Sequence, residues 1–475
     1  MQQIYTLAER VIIWLPLYDK TGHKDKAESS IFATQWLLRK IEMGQDWSLS
    51  DNLCKSFMVE NPQVQIHGAF HDVLSRSWFG RMWVVQEAVL AQRLFVYLGS
   101  VPTPWESYSL SILRFMSNLD VRVAVKSSAN ECYHATLRRD LSTASKVGAS
   151  MVHLIIQLRT IIREAKHPIQ PSELLLLCGP FKASVPCDNV YAVAGLFGIA
   201  PIFAHQANFT LDYRKPHLSV YEDFTVWCIE NEGNLDVLAQ QRNECGRQRH
   251  ERDFVSWSTD WSHTTDFAFT TRGSVVPINE RNASMAITHQ HSPLYRSVST
   301  SLFLKGYVID IVVSGFVASR DFKKEDMLDW LKAIPDDEEA NLVLFGEKRP
   351  TVDSLFNVYR ETFRKAQTFT HLWRDGDTAA FGKGNMIEEF RGPMRTKRGC
   401  LAITFPYFDI GPEAKICAFY GGRALFILLQ EGTGDCRGQR HRLVCGDCFI
   451  NGFEDGKGIA MARKLGLQEQ EIRLV

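Results

Sequence analysis

What this chain lacks narrows it first. Neither sign of charge is in excess, since Lys+Arg and Asp+Glu each total 54. No overall field therefore favours a nucleic-acid backbone or an anionic membrane, and no nucleic-acid partner is expected. No apolar run reaches the length of a membrane span, and the opening MQQIYTLAERVIIWLP lacks the basic lead and small-residue cleavage site of a secretory signal. The expectation is an intracellular, cytoplasmic protein without a membrane span. In that setting the eleven cysteines, an odd number scattered along the chain, read as reduced and buried small hydrophobes. The sequons Asn208-Phe-Thr210 and Asn282-Ala-Ser284 then carry no meaning. Also absent are the nucleophile elbow Gly-x-Ser-x-Gly, the Walker phosphate loop and Gly-x-Gly-x-x-Gly. No catalytic residue, metal or cofactor is assigned, and enzymatic activity stays open with a non-enzymatic role favoured.

What is present is an ordinary globular composition, 45% hydrophobic and 23% charged, over 475 residues, room for about three average domains. The densest stretch is Ser75 to Gly99, SRSWFGRMWVVQEAVLAQRLFVYLG. Ser77 is placed to cap a helix whose Trp78, Met82, Val85 and Val89 share one side. Leu94 to Leu98 reads as a strand covered on both faces. Arg81 and Glu87 stand six apart, which turns them away from each other on a helix, so each must find a partner elsewhere. Before this block, Met1 to Arg10 reads as a helix and Val11 to Leu15 as a short buried strand ended by Pro16.

Further along, Lys20 to Lys26 is a charged loop and Ser29 to Met43 a helix. Trp105 to Leu119 and Met151 to Lys166 read as amphipathic helices, separated by a polar segment around Lys126 to Asp140, and an apolar run from Ser172 to Leu177 continues into CDNVYAVAGLFG, Cys187 to Gly198. A helix from Ser219 to Glu230 stops at Gly233. Gln240 to Arg252, with four arginines, reads as a solvated loop. Ser301 to Phe316 reads as a strand pair, Asp326 to Ala333 and Val352 to Ala366 as helices, and Asp336 to Ala340 as an acidic loop. From Arg398 onward, short strands at Cys400 to Phe405, Ile416 to Tyr420, Leu425 to Leu429 and Leu443 to Asn451 suggest a small barrel or an open antiparallel sheet.

Two groups have metal-like spacing. His67 and His71 are a helical turn apart but lack the Glu of a His-Glu-x-x-His motif, and read as ordinary histidines. Cys436, His441, Cys445 and Cys448 include a two-residue gap, yet Leu443, Phe449 and Ile450 place the pair in or beside a strand, so buried cysteines are favoured over zinc.

The block SRSWFGRMWVVQEAVLA resembles the diagnostic motif of the fungal heterokaryon-incompatibility (HET) domain, with Trp78, Arg81, Trp83, Gln86 and Glu87 at its motif positions and Ser77 where that family often has Pro. QQIYTLAERVIIWLP is similar to the helix and strand that precede the motif in the family. Asp188-x-x-Tyr191-Ala192-x-x-Gly195-Leu196, LDYRKPHLSVYEDFTVWCIENEGNLDVLAQ (Leu211 to Gln240) and FVSWSTDWS (Phe254 to Ser262) resemble segments that follow the domain, in the same order, and Gly411-Pro412 and Gly446-Asp447 fit its ending loosely.

The resemblance implies an α/β fold, a partial TIR-like or flavodoxin-like HET domain over residues 1–100, then a mainly helical region over 101–300 and a mixed region over 301–475 ending in a β-rich module. In the family two further strands, carrying Ser-Tyr-x-Trp-Gly and Trp-Ile-Asp-x-x-Cys-Ile-Asn-Gln, come before this helix. Neither motif occurs here, so the expectation is a domain without its first strands and with an unfinished ligand crevice. The family's role implies self/non-self recognition and triggered cell death. Some TIR relatives cleave NAD with a catalytic glutamate, but with the crevice unfinished Glu87 is read as a structural anchor. Three readings stay open: an incompatibility effector, an interaction or regulatory protein with a protein partner or a second copy of itself, and a NAD-cleaving enzyme. A damaged domain or a misplaced start codon would account for the missing motifs.

Overall fold

The computed structural model describes residues 2–15, 32, 35–36, 73–98, 101–112, 143–164, 169–179, 181–197, 209–239, 255–262, 295–298, 300–315, 328–332, 334–358, 394–402, 410–422, 425–432, 438–448, 450, 453 and 457–475. The expected loop at Lys20 to Lys26, most of the helix at Ser29 to Met43, His67 and His71, the segment at Lys126 to Asp140, Gln240 to Arg252 and Cys436 lie outside them.

Helix α1 (Gln2–Leu7) leads into strand β1 (Val11–Leu15), which pairs in parallel with β2 (Leu94–Leu98); β3 (Val101–Pro104) adds antiparallel to β2. Alternation decides the faces of this sheet. Ile13 and Leu15 of β1 and Leu94, Val96 and Leu98 of β2 point into the core. On the other side Ile12 and Trp14 are exposed, and Phe95 and Tyr97 are half-buried. The sequence predicts β2 covered on both faces and β1 as a buried strand; the described residues bury one face of each.

The single helix expected from Ser77 is divided. Ser77–Gly80 form a 3-10 turn without a side-chain cap, and α2 (Val84–Leu90) begins afresh. Arg81 between them is extended, because the backbone there is claimed by a neighbour: Lys182 N–H donates to Gly80 O at 2.7 Å and Met82 N–H to Lys182 O at 3.0 Å.

Behind this layer stand α3 (Thr143–Glu164), α4 (Pro171–Cys178), α5 (Asp188–Ala194), α6 (His217–Glu232) and α7 (Asp236–Ala239). Helix α6 ends where Gly233 takes a left-handed conformation, φ 66°, and its N–H closes on Ile229 O, a stop that glycine makes at little cost. Buried Arg159 of α3 donates to Ala88 O at 2.8 Å and Ala91 O at 2.7 Å, so a cation meets the carbonyl end of α2. Among the described residues no helix is long and apolar enough to cross a membrane.

The C-terminal part is a sheet of β4 (Tyr295–Val298), β5 (Ser301–Gly315), β6 (Met394–Thr396), β7 (Leu401–Ala402), β8 (Lys415–Phe419), β9 (Leu425–Gln430), β10 (Arg440–Cys448) and β11 (Glu469–Leu474). Because β11 pairs with both β10 and β5, the strands β5, β8, β9, β10 and β11 close into a ring. A ring leaves none of those five an open edge. The pair of strands expected between Ser301 and Phe316 is one fifteen-residue strand, long enough to pair with β4, β11, β8 and β6 along its length. The acidic stretch expected as a loop starts a helix instead. Asp337 accepts from Ala340 N–H at 2.9 Å and caps Glu338–Phe345, where acidic side chains suit the helix N-terminus.

One face of the ring shares the main core with the helices, through Leu302, Phe419, Phe426, Leu443 and Leu474. The other packs a second cluster that includes Ile309, Ile416, Ile427 and Ile459. The segment 255–262 ties the two parts together. Ser256 N–H donates to Val475 O at 2.8 Å, its hydroxyl accepts from Leu443 N–H at 2.9 Å, and Trp257 Nε1 donates to Thr300 O at 3.2 Å.

Candidate functional site at the meeting of the motif segments

The polar residues of the singled-out segments converge on Asp188, in the first turn of α5. Trp83 Nε1 donates to Asp188 Oδ2 at 3.0 Å across 105 residues of sequence. Tyr213 donates its hydroxyl to Asp188 Oδ1 at 2.7 Å. Both carboxylate oxygens are thereby engaged, one by a residue upstream and one by a residue downstream. Burial, and then the hydrogen bond to Asp188 and that residue's charge, push the Tyr213 hydroxyl well above its ordinary range. Its ring meets Tyr191 edge-on at 4.9 Å, and the Tyr191 hydroxyl donates to Asp212 O at 3.0 Å.

Gln86 is buried, 3% exposed, and its amide lies against Gly195. A Cβ at position 195 would stand 2.0 Å from Gln86 Nε2, so the glycine makes room for the amide where it now lies, and its backbone conformation is an ordinary helical one. Two more motif residues pair locally: Lys215 contacts Asp223 at 2.5 Å, and the Tyr221 hydroxyl donates to Pro186 O at 2.6 Å while accepting from Asn189 Nδ2 at 3.3 Å. Trp261 reaches the same helix, its ring edge-on to Phe224 at 5.9 Å.

Arg81 and Glu87 meet through a third residue. Both act on the Tyr5 hydroxyl of α1, in opposite senses. Burial, then the charge and hydrogen bond of Glu87, push Tyr5 up to about 12, with Arg81 opposing. Trp78 has a packing position, edge-on to Phe79 at 4.9 Å and 6.5 Å from Trp105. Of the five motif residues, Trp83 and Gln86 therefore face α5, Arg81 and Glu87 face α1, and Trp78 sits with the aromatic residues beneath.

Tyr5, Asp188, Gly195 and Tyr213 are the partners that motif reading of the block alone misses. Each lies within a segment noted for its own pattern, but nothing in the spacing says which meets which. Chemically the arrangement is a clamp. The oxygens of Asp188 are taken by two donors, Glu87 is engaged by Tyr5, and burial raises the neighbouring Cys187 thiol, which removes thiolate character.

The alternative metal group has unfavourable neighbours. His441 Nε2 lies 3.0 Å from Lys415 Nζ, and burial followed by the Lys415 charge holds the imidazole below its ordinary value. A cation beside the one imidazole works against a second cation. Cys445 and Cys448 are buried, and among the described residues no group of three or more metal-ligating side chains assembles.

No curated protein matches the chain, and no solved structure does. Residues 1–87 match the family model described as Heterokaryon incompatibility protein (HET), in agreement with part of such a domain, and the match ends on Glu87 of the motif block.

Proposed function

From that match, which points to a function of the heterokaryon-incompatibility type, we propose that the protein is an effector of self/non-self recognition in fungal cytoplasm that triggers programmed cell death. Its N-terminal layer is read as part of a TIR-like, flavodoxin-like sheet, and its output as contact with a protein partner. The carrying observation is that the matched segment ends in a block whose Trp83 grips Asp188, so the HET-type layer and the downstream helices are coupled through one carboxylate. A signal arriving at either part would reach the other through that clamp.

Forced expression in a filamentous fungus tests this. Wild type is expected to arrest or kill the cells, and Trp83→Ala or Glu87→Ala to abolish the effect at equal protein level. Equal harmlessness of all three chains would end the proposal. Glu87 is assigned an anchoring role, so the purified chain is expected to release no nicotinamide from NAD; release that depends on Glu87 would replace this reading with an enzymatic one.

A second reading, a binding or regulatory protein without toxicity, is favoured by one observation. Ile4, Leu7, Ile12 and Trp14, all large and apolar, are each exposed at the start of the HET-matched segment. A stable complex formed by a chain that does not harm the cell would distinguish it.

A further inference from the structure

The ring of strands has one weak seam. β5 and β11 share six registered pairs and β5 and β8 share five, all antiparallel, whereas β10 and β11 run parallel and share two, Arg440↔Arg473 and His441↔Leu474. Parallel strands hold slightly less firmly per residue than antiparallel ones. The first of the two pairs also sets like charges on adjacent strands, which is unfavourable. The registered pairing ends at His441. Val475 N–H donates to His441 O at 3.0 Å, and from there Ser256 bridges the two strands, its N–H donating to Val475 O at 2.8 Å and its hydroxyl accepting from Leu443 N–H at 2.9 Å.

His441 is buried at this seam, 5% exposed, and its Nε2 lies 3.0 Å from Lys415 Nζ of β8. An ammonium only donates, so Nε2 is the acceptor and the imidazole proton sits on Nδ1. Nδ1 is buried without a hydrogen-bond partner. The imidazole is therefore neutral in this arrangement, and a second proton has one place to go, the nitrogen that Lys415 already occupies. Taking it removes the hydrogen bond and sets two cations side by side, where burial leaves them poorly screened. Burial and then the Lys415 charge hold the imidazole below its ordinary value, against the carbonyls of Arg473 and Gln439.

Little around His441 offsets a new positive charge. On its own strand, Arg440 and Arg442 alternate to the opposite face, and Arg473 of β11 is turned to Ser301 Oγ at 3.1 Å. β9 sets uncharged Gln430 opposite His441, with Glu431 next to it and exposed. In the bridging segment Asp260 accepts from Ser262 N–H at 2.9 Å, and the Val475 oxygen accepts from Ser256. Among the described residues, Lys415 is the charged group whose field acts on the imidazole.

We propose that the β10–β11 seam is an acid-sensitive gate in which a proton on His441, driven from Lys415, parts the two strands and opens the ring. Opening also frees Ser256, and with it the segment 255–262 that ties the ring to the helices. Two arginines on one face and Lys415 with charged His441 on the other then repel across a junction of two registered pairs. The inference rests on the seam and not on the incompatibility reading.

The test is amide hydrogen exchange of the full chain, read strand by strand by mass spectrometry at about pH 7.5 and about pH 5.5 and corrected for the intrinsic rate at each. Between the two, β11 and the peptide containing Ser256 should lose protection on the order of tenfold, as one linked proton allows, while the β5–β8 pairing keeps its own. His441→Gln, whose amide oxygen can accept from Lys415, should keep the seam closed at both pH values. Lys415→Met, which takes away the second cation, should shrink the loss. An unchanged wild-type seam overturns the proposal, and so does a loss shared evenly by all five strands. Equal loss in His441→Gln, or an undiminished loss in Lys415→Met, overturns it as well.

Discussion

The HET-matched layer and the C-terminal ring are built by different means. The first is fastened by side chains from distant parts of the chain, Trp83 and Tyr213 on Asp188 and Gln86 against Gly195. The second is fastened by its backbone, five strands hydrogen-bonded around a closed path. Side-chain fastening demands particular residues, because an indole N–H, a phenol and a carboxylate each have one chemistry. Backbone fastening demands only alternation and turns, which many sequences supply. The first region is accordingly recognisable as a motif, and the second only as a pattern. The two regions nonetheless share one apolar cluster, in which Val84 and Val85 of the first stand with Phe419 and Leu443 of the ring.

The largest disturbance should come from the ring at Gly306. A Cβ there would lie 2.1 Å from Ala418 O on the paired strand, a backbone atom that cannot move without breaking the ladder. Gly306→Ala is expected to cost about 3 kcal/mol by overpacking. The thermal transition should fall in temperature and stay single. Two separated transitions in the variant would show that the ring melts independently and that the shared core does not couple the regions.

A smaller effect is expected at the clamp. Trp83→Phe keeps most of the ring volume and removes the donor to Asp188, at a cost of about 1–2 kcal/mol in denaturant unfolding. Combined with Tyr213→Phe, the double variant should depart from additivity by about 0.5–1 kcal/mol, because both donors share one carboxylate. Additive losses would mean that Asp188 does not couple its two neighbours.

The smallest effect is one of pH. Glu232, at the end of α6, accepts from Ser172 N–H and from Ser172 Oγ, each at 2.8 Å, and so holds the start of α4. Burial pushes its carboxyl up to about 7, against the two Ser172 donors and with Asp236 adding to the rise. An acid whose folded value exceeds its unfolded one binds the proton more tightly when folded. Its contribution is full below the ordinary carboxylate range and is lost as pH rises through about 7. Urea stability measured from about pH 5 to pH 8 should decline by on the order of 1 kcal/mol through this group, and Glu232→Gln should flatten that part of the profile. An unchanged slope in the variant would remove Glu232 as the titrating group.

Much of the local structure was legible because its causes are local. The stop of α6 at Gly233 follows from a residue that accepts left-handed φ, and β1 and β2 follow from short apolar runs bounded by breakers. The turn at Ser77 defeated the helical reading because Lys182, a hundred residues on, takes the backbone of Gly80 and Met82. Asp337 was read as part of a loop because an acidic run looks alike whether it is solvated or caps a helix. The candidate site was legible as a set of residues and not as a geometry: Arg81 and Glu87 could be seen to need partners, but Tyr5 could not be identified as the residue that both reach.

By itself the sequence determined the apolar strands, the helix stops and the HET-type block, since each depends on propensities and patterns within a few residues. Tertiary structure alone decided that Trp83 would find Asp188, that Gly195 would make room for Gln86, and that Ile12 and Trp14 would be left facing water. Those outcomes depend on which distant segments pack together. A hydrogen bond across 105 residues exists only after the chain between its partners has folded, and an apolar side chain is exposed only when no other element arrives to cover it.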